Sequence, residues 1–223
     1  MRSQTVVIIP AFNEESTIGQ VIDDVRRQGF KYIIVVDDGS SDNTSRVARK
    51  KGVVILRRSI NRGMGAATQK GIEYGLYQGF RYFLTIDADQ QQNASDLVKI
   101  LEKLQEHDCV IGSRFLQKNI IPFSRRTANK IANVVTGILF GVWVSDSQTG
   151  LRGFSRRVAK NLNLCSDGFE YASEFLWEVQ EMGYQIHEVP ITISYSKYSL
   201  AKGQGFFVGI KTFWRLLKNV VYR

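Results

Sequence analysis

Acidic residues are missing from two long stretches of this 223-residue chain: none occurs from Val110 to Ser145 or from Val189 to Arg223. Arg114, Lys118, Arg125, Arg126 and Lys130 lie in the first stretch; Lys197, Lys202, Lys211, Arg215, Lys218 and Arg223 lie in the second. These 11 of the 30 basic residues leave 19 to face all 21 acids, so the two stretches carry the whole excess behind the net charge of +9. Such patches attract polyanions, whether nucleic acid, anionic lipid or phosphate-bearing substrates. Cysteine is also scarce: Cys109 and Cys165 are far apart and lack partners at metal-ligand spacing. That excludes a disulfide framework and a zinc cluster, and fits a reduced, cytoplasmic protein. Long apolar runs are absent. The longest, "GILFGVWV" from Gly137 to Val144, falls well short of the roughly 20 residues that span a bilayer, so any membrane contact is expected to be peripheral. The N-terminus enters a strand-like run too soon to read as a signal peptide. No repeat, low-complexity tract or linker divides the chain, and a single domain over residues 1–223 is expected.

What is present is alternation. Five apolar runs, "TVVII" (5–9), "YIIVV" (32–36), "VVIL" (53–56), "YFLTI" (82–86) and "CVIG" (109–112), alternate with amphipathic stretches. In one of these, Ile18, Val21, Ile22 and Val25 follow helical spacing. Uniformly apolar strands separated by helices predict a mostly parallel sheet covered on both faces, the α/β class. Past residue 115 the alternation stops. "SRRTANKIANVVTGILFGVWV" predicts a helix with Ile131, Val134, Ile138 and Val142 on one stripe, and "SDSQTGLRGFSRR" predicts a loop. Phe169 to Met182 predicts another helix, "YQIHEVPITISY" one or two strands, and the segment from Gly205 an amphipathic tail helix.

Ligands of parallel sheets bind at the carboxyl ends of the strands. Here every first-half strand end is polar: "PAFNEES", "DDGSSDNT", "RSINRGMGAA", "DADQQQ" and "SRF". One such loop means little, whereas five on one edge predict a built site. Side chains at i and i+2 of an extended segment point the same way, which brings Asp87 and Asp89 together. Their repulsion is costly without a cation; with Mg²⁺ or Mn²⁺ they make a hard oxygen site that diphosphate oxygens could complete. The alternative is that Asp89 or Asn93 caps the helix over 94–106. Asp37 and Asp38 form a second acidic pair, which turn chemistry alone could also explain, and Asp42 or Ser41 is expected to cap the helix that follows. Asn61 to Gly65 suits close approach to an anion. "GMGAAT" follows the wrong strand for a dinucleotide fingerprint, and no P-loop is present.

In order and spacing, "IIPAFNEE", "VVDDGSSDNT", "NRGMGAA", "IDADQQ" and "IGSRF" resemble the family 2 glycosyltransferases of the GT-A fold. "DSQTGLRGFSR", "FEYASEFLWEVQEMGYQIHEVPI" and "YSLAKGQ" are similar to its dolichol- and polyprenyl-phosphate sugar synthases. The resemblance covers roughly residues 5–205. It implies a nucleotide-sugar-binding half at 1–115, an acceptor-side half at 116–204 and the amphipathic helix at 205–223. It further implies that Pro10, Phe12, Asn13 and Glu14 frame the nucleobase and ribose, with Asp38 toward the base and Asp37 nearby. Asn61, Gly65 and Ala88 would line the nucleotide-sugar. Asp87 and Asp89 would hold Mn²⁺ or Mg²⁺ and the diphosphate, with Gln91 a further ligand, and Arg114 would face phosphate. Asp89 and Arg114 are thus the catalytic candidates. Ser124, Arg125, Asn129 and Lys202 would bind the phosphate of a polyprenyl phosphate acceptor. The chain departs from the subgroup at Gln92-Asn93, where a His-Pro run is usual, and at Leu200, where an arginine is common.

The implied reaction is metal-dependent, inverting displacement at the anomeric carbon, moving a hexose from a GDP-mannose or UDP-glucose type donor. A lipid monophosphate, with a second pKa of about 6, needs no base to become a nucleophile. A saccharide or protein hydroxyl would need one, with Asp146, Glu170 and Glu174 as candidates; a solvated or ion-paired helix face is the plainer reading of the two glutamates. The tail helix sets aromatic residues opposite Lys and Arg, which suits either the cytoplasmic face of an anionic membrane or closure of the core. A nucleic-acid-binding module would explain the charge but not five polar strand ends, so no nucleic-acid partner is expected.

Overall fold

A computed structural model describes residues 1–168 and 170–195. Seven strands form one sheet: β1 (Thr5–Ala11), β2 (Tyr32–Asp37), β3 (Val54–Arg57), β4 (Tyr82–Thr85), β5 (Cys109–Ser113), β6 (Arg152–Ser155) and β7 (Ile186–Pro190). The described helices are α1 (Ile18–Arg27), α2 (Thr44–Lys50), α3 (Met64–Tyr77), α4 (Asp96–Lys103), α5 (Phe123–Phe140), α6 (Arg156–Asn161) and α7 (Tyr171–Glu181). The strand order is β3-β2-β1-β4-β6-β5-β7, parallel except for β6, which runs antiparallel to both β4 and β5. The expected α/β class is what forms.

Strand β1 is buried along its whole length because the sheet is covered on both sides. Val7 and Ile9 pack with Ile18, Val21, Ile22 and Val25 of α1 and with Leu97 and Ile100 of α4. Val6 and Ile8 face the other layer, with Ile72 of α3, Val158 of α6 and Phe175 and Leu176 of α7. Burying such side chains is worth about 1.5–3 kcal/mol each, which is what holds the strand ends in a fixed array.

Three expectations are corrected. The segment predicted as a loop contains β6. Gly153 marks close packing there, since a Cβ on it would lie 2.3 Å from Ile100 Cγ2. The expected stripe on α5 forms, but it faces outward: Ile131, Val134 and Ile138 are 59%, 50% and 71% exposed. Only Thr136 and Gly137 of that helix are buried. The helix ends at Gly141, whose φ of 69° is left-handed, so Val142 leaves the stripe and enters the core. Glu174 is buried, not solvated. The predicted tail helix and Lys202 lie outside the described residues, as does Phe169. Among the described residues, no helix is long and apolar enough to cross a membrane.

Candidate active site

The parallel strands bring the five polar loops to one edge, and the loops brace each other. Asn13, at a left-handed φ of 54°, ties the first loop to the second. Its N–H donates to Ser40 Oγ at 2.9 Å, and its Oδ1 accepts from Ser41 N–H at 2.9 Å. Pro10 lies in β1 opposite Val36 and is buried, whereas Phe12 is 39% exposed at the rim. Glu14 is buried and accepts from the Thr17 hydroxyl at 2.7 Å.

The acidic pair of the second loop is committed to loop structure. Asp37 accepts from Ser40 N–H at 2.8 Å and from the Ser45 hydroxyl. Asp38 accepts from the backbone N–H of Arg62 (3.1 Å) and Gly63 (2.5 Å) and pairs with Arg58 at 3.2 Å. Asp42 accepts from Thr44 N–H at 2.9 Å just before α2, but the cap position is held by Asn43, which makes no side-chain cap bond, so neither Asp42 nor Ser41 is the expected cap. Asn61 is exposed on the loop that Asp38 gathers. Gly65 has a packing role: its N–H donates to the Asp167 carbonyl at 2.9 Å, and a Cβ would lie 2.0 Å from the Ser166 carbonyl oxygen.

The fourth loop is built differently. Asp87 follows β4 and is bracketed by one side chain: Gln92 Nε2 donates to Asp87 Oδ2 at 2.7 Å, and Gln92 Oε1 accepts from Asp87 N–H at 3.0 Å. Ala88 is buried between the two aspartates. Gln90 takes a left-handed φ of 61°, which turns the chain back so that Asp89 Oδ1 accepts from Gln91 N–H at 3.0 Å. Asn93 accepts from Ser95 N–H at 3.0 Å just before α4, whose cap position is Ser95, so neither Asn93 nor Asp89 caps that helix. Gln91 donates its amide to Asp89, and its Oε1 accepts from Arg125 at 3.2 Å. It therefore links the acidic pair to α5.

The electrostatics are those of a site short of positive charge. Burial, then the neighbouring Asp89, pushes the Asp87 carboxyl up to about 7, against the pull of Arg114 and Arg152. Burial also raises Asp89, opposed by the Gln91 hydrogen bonds and with Glu14 adding to the rise. Two hard carboxylate donors that resist ionisation without a counter-charge fit a divalent cation. Among the described residues, no cluster of three or more His, Cys, Asp or Glu could hold a metal.

The basic wall opposite is fixed by partners that the sequence did not reveal. Asp146, fully buried, accepts from Arg114 N–H at 3.0 Å, Nε at 2.6 Å and Nη2 at 2.5 Å. Burial opposes the Arg114 charge, but Asp146 outweighs it and holds the guanidinium's pKa above its ordinary value. Arg114 is thus a braced cation beside Asp87, and Asp146 is its anchor. Ser124 is exposed near the start of α5, while Arg125 and Asn129, one turn apart, are half-buried. Glu174 accepts from the N–H groups of Cys165 (3.0 Å) and Ser166 (2.7 Å), fixing the loop against which Gly65 packs. Glu170 is buried as well.

Sequence reasoning missed three residues. Gln92 holds Asp87. Gly150 leaves room for it, since a Cβ there would lie 2.1 Å from Asp87 Oδ1. Arg152, 1% exposed, stands under rings, its guanidinium carbon 5.3 Å from the Tyr171 centroid and 4.7 Å from that of Phe175.

The chain is similar to known proteins over most of its length. The chain is 33% identical to a UDP-N-acetylglucosamine–dolichyl-phosphate N-acetylglucosaminyltransferase of Methanococcus voltae, over 95% of this chain and 94% of that protein. It is 29% identical to a polyprenol monophosphomannose synthase of Mycolicibacterium smegmatis, over 91% and 82%. A crystal structure of glucosyl-3-phosphoglycerate synthase from Mycobacterium tuberculosis, with Mn²⁺, UDP and glucosyl-3-phosphoglycerate, superposes with a TM-score of 0.75 at 18% identity, covering 96% of this chain and 77% of that one. That likeness shows the GT-A fold. The family description "Glycosyl transferase family 2" matches residues 6–162, and the chain belongs to that glycosyltransferase family.

Proposed function

We propose that the protein transfers a sugar from a nucleotide-sugar to a polyprenyl phosphate at a membrane surface, by a metal-dependent single displacement that inverts the anomeric carbon. The observation that carries this reading is the pairing of a cation-seeking acidic pair with a braced basic wall: Asp87 and Asp89 on one side, Arg114 and Arg125 on the other. The names of the two relatives, both acting on lipid phosphates, support the same acceptor.

In this reading residues 1–115 bind the donor and residues 116–204 the acceptor. Mn²⁺ or Mg²⁺ held by Asp87 and Asp89 would supply positive charge to the diphosphate. Gln92 keeps Asp87 in place, and Gln91 ties Asp89 to Arg125, so the donor and acceptor sides keep one geometry. A phosphate oxygen of the acceptor attacks the anomeric carbon as the bond to the nucleoside diphosphate breaks, and the electron pair leaves with the diphosphate. No base is required, because a phosphate monoester with a pKa of about 6 is already largely dianionic at neutral pH. Commitment of Asp146 to Arg114 and of Glu174 to two backbone N–H groups supports this over a hydroxyl acceptor, which would call for a carboxylate free to take a proton.

The outward face of α5 supports peripheral attachment at the cytoplasmic side of the membrane. Ile131, Val134 and Ile138 are exposed, Ile120 and Phe123 are 94% and 85% exposed, and Lys118, Arg126 and Lys130 accompany them without any acid. The test is incubation of the purified protein with Mn²⁺ or Mg²⁺, a panel of UDP- and GDP-sugars, and undecaprenyl or dolichyl phosphate in vesicles. A glycolipid is expected; transfer only to a soluble hydroxyl acceptor would reject the reading.

A further inference from the structure

Among the described residues, two buried side-chain polar atoms lack a hydrogen-bond partner, Arg152 Nη1 and the Tyr195 hydroxyl. A buried hydroxyl without a partner costs free energy that a ligand could recover. Tyr195 is not where it is by chance. The segment after β7 runs back along the fourth loop: Asn93 N–H donates to the Thr192 carbonyl at 3.3 Å, Ser194 N–H donates to the Gln91 carbonyl at 2.9 Å, and Gln92 and Ile193 form an antiparallel bridge. This carries the Tyr195 ring to α5, where the Arg125 guanidinium carbon lies 5.0 Å from its centroid. The same Arg125 donates to Gln91 Oε1 at 3.2 Å, and Arg114 is near enough for Tyr195 and Asp87 both to act on its charge. The hydroxyl therefore sits unpartnered in a corner with Arg125 and Arg114, and the ring is linked to Asp89 through Arg125 and Gln91.

A phenol offers one directed donor, and in a corner flanked by arginines the matching acceptor is an anionic oxygen. We propose that Tyr195 is a phosphate-positioning residue, whose hydroxyl donates to the phosphate of the lipid acceptor beside Arg125. The assignment rests on the polyprenyl phosphate reading above. Phosphate oxygens reach this region from two sources, the acceptor monophosphate and the donor diphosphate. The acceptor is assigned because Arg125, which the Tyr195 ring underlies, belongs to the acid-free stretch and to α5, whose outer face is the proposed membrane side.

The experiment compares wild type, Tyr195→Phe and Tyr195→Leu. Phenylalanine keeps the ring under Arg125 and removes only the hydroxyl. For Tyr195→Phe the expected results are a rise of about tenfold to a hundredfold in KM for undecaprenyl phosphate and in Kd for farnesyl monophosphate, the size of one hydrogen bond to a charged group. The Kd for UDP or GDP with Mn²⁺ should stay as in wild type. The Tm of the ligand-free protein should be unchanged or higher, because an unsatisfied group has gone. Tyr195→Leu should add a loss of kcat by freeing Arg125. An unchanged KM and Kd overturns the assignment. So does weaker nucleotide binding, which would place the hydroxyl on the donor diphosphate, and so does a lowered ligand-free Tm, which would give it a structural partner. If wild type glycosylates no polyprenyl phosphate and binds no farnesyl monophosphate, the acceptor reading falls and this proposal with it. If wild type is active and Tyr195→Phe matches it, only this proposal falls.

Discussion

Gln92 holds Asp87 at both ends, donating to its carboxylate at 2.7 Å and accepting from its backbone N–H at 3.0 Å. The side chain that fixes the first aspartate of the pair is thus uncharged and lies in the same loop. Its replacement by alanine should leave the fold intact, since the residue is half-buried at a loop, and should loosen Asp87. Mn²⁺ affinity, read by calorimetry with UDP or GDP present, is expected to fall about tenfold to a hundredfold, the effect usual for groups that orient a metal ligand. Gln92→Glu should lower the Tm of the metal-free protein at neutral pH more than Gln92→Ala does, because it adds a third negative charge to a crowded site.

Asp87 makes stability depend on pH in an unusual direction. Its carboxyl ionises near 3.8 when unfolded and is raised to about 7 in the fold. The folded state therefore holds a proton that the unfolded state has lost, and this group's contribution is full below about pH 4 and declines as pH rises toward 7. Asp87→Asn should remove that decline. At pH 8 and without divalent metal, the variant is expected to have a higher Tm than wild type, since each tenfold change in the acidity of a carboxyl on folding is worth about 1.4 kcal/mol. At pH 4 the two should be close. A variant less stable than wild type at pH 8 would contradict the assignment.

Arg114 and Asp146 form a pair in which the carboxylate is fully buried and the arginine side chain only 16% exposed. Removing one partner strands the other's charge. Asp146→Ala is expected to lower stability by about 3–5 kcal/mol in chemical denaturation, and Asp146→Asn by less, because the amide oxygen still accepts from an N–H. If Asp146 were a proton acceptor for the reaction instead, Asp146→Asn would abolish turnover at unchanged stability.

Much of this was legible in the sequence. The strands were readable because both faces of the sheet are covered, so that runs such as Val6 to Ile9 needed no alternation to be recognised. The closeness of Asp87 and Asp89 was readable from their spacing, although the chain turns at Ala88 and Asp89 and is not extended there. Strand β6 was not, because the glycine that lets Ile100 approach looks like a loop residue in one dimension. Nor were the groups around the acidic pair: Arg152 near Asp87, Asp146 that holds Arg114, and Tyr195 under Arg125 arrive from distant segments, and only the sheet order and the return of the chain after β7 bring them together. The α5 stripe was legible as a stripe but not as an outward one, since periodicity gives a face and not what covers it.

That outward stripe has a direct test. An Ile131→Glu, Ile138→Glu double variant should fold as wild type, because both residues are more than half exposed. Cosedimentation with vesicles containing anionic lipid is expected for wild type and should fall at least about tenfold for the variant, with unchanged Tm. Equal cosedimentation would place the membrane contact elsewhere.

The central claim is that Asp87 and Asp89 work with a bound cation to release a nucleoside diphosphate as a polyprenyl phosphate is glycosylated. The most direct measurement is transfer of radiolabelled sugar from UDP- or GDP-sugars to undecaprenyl phosphate by wild type and Asp89→Asn, with Mn²⁺ and with EDTA. Labelled lipid is predicted only for wild type with metal, with a fall of roughly a thousandfold or more in the variant. Undiminished transfer by Asp89→Asn, or by wild type in EDTA, would contradict the account.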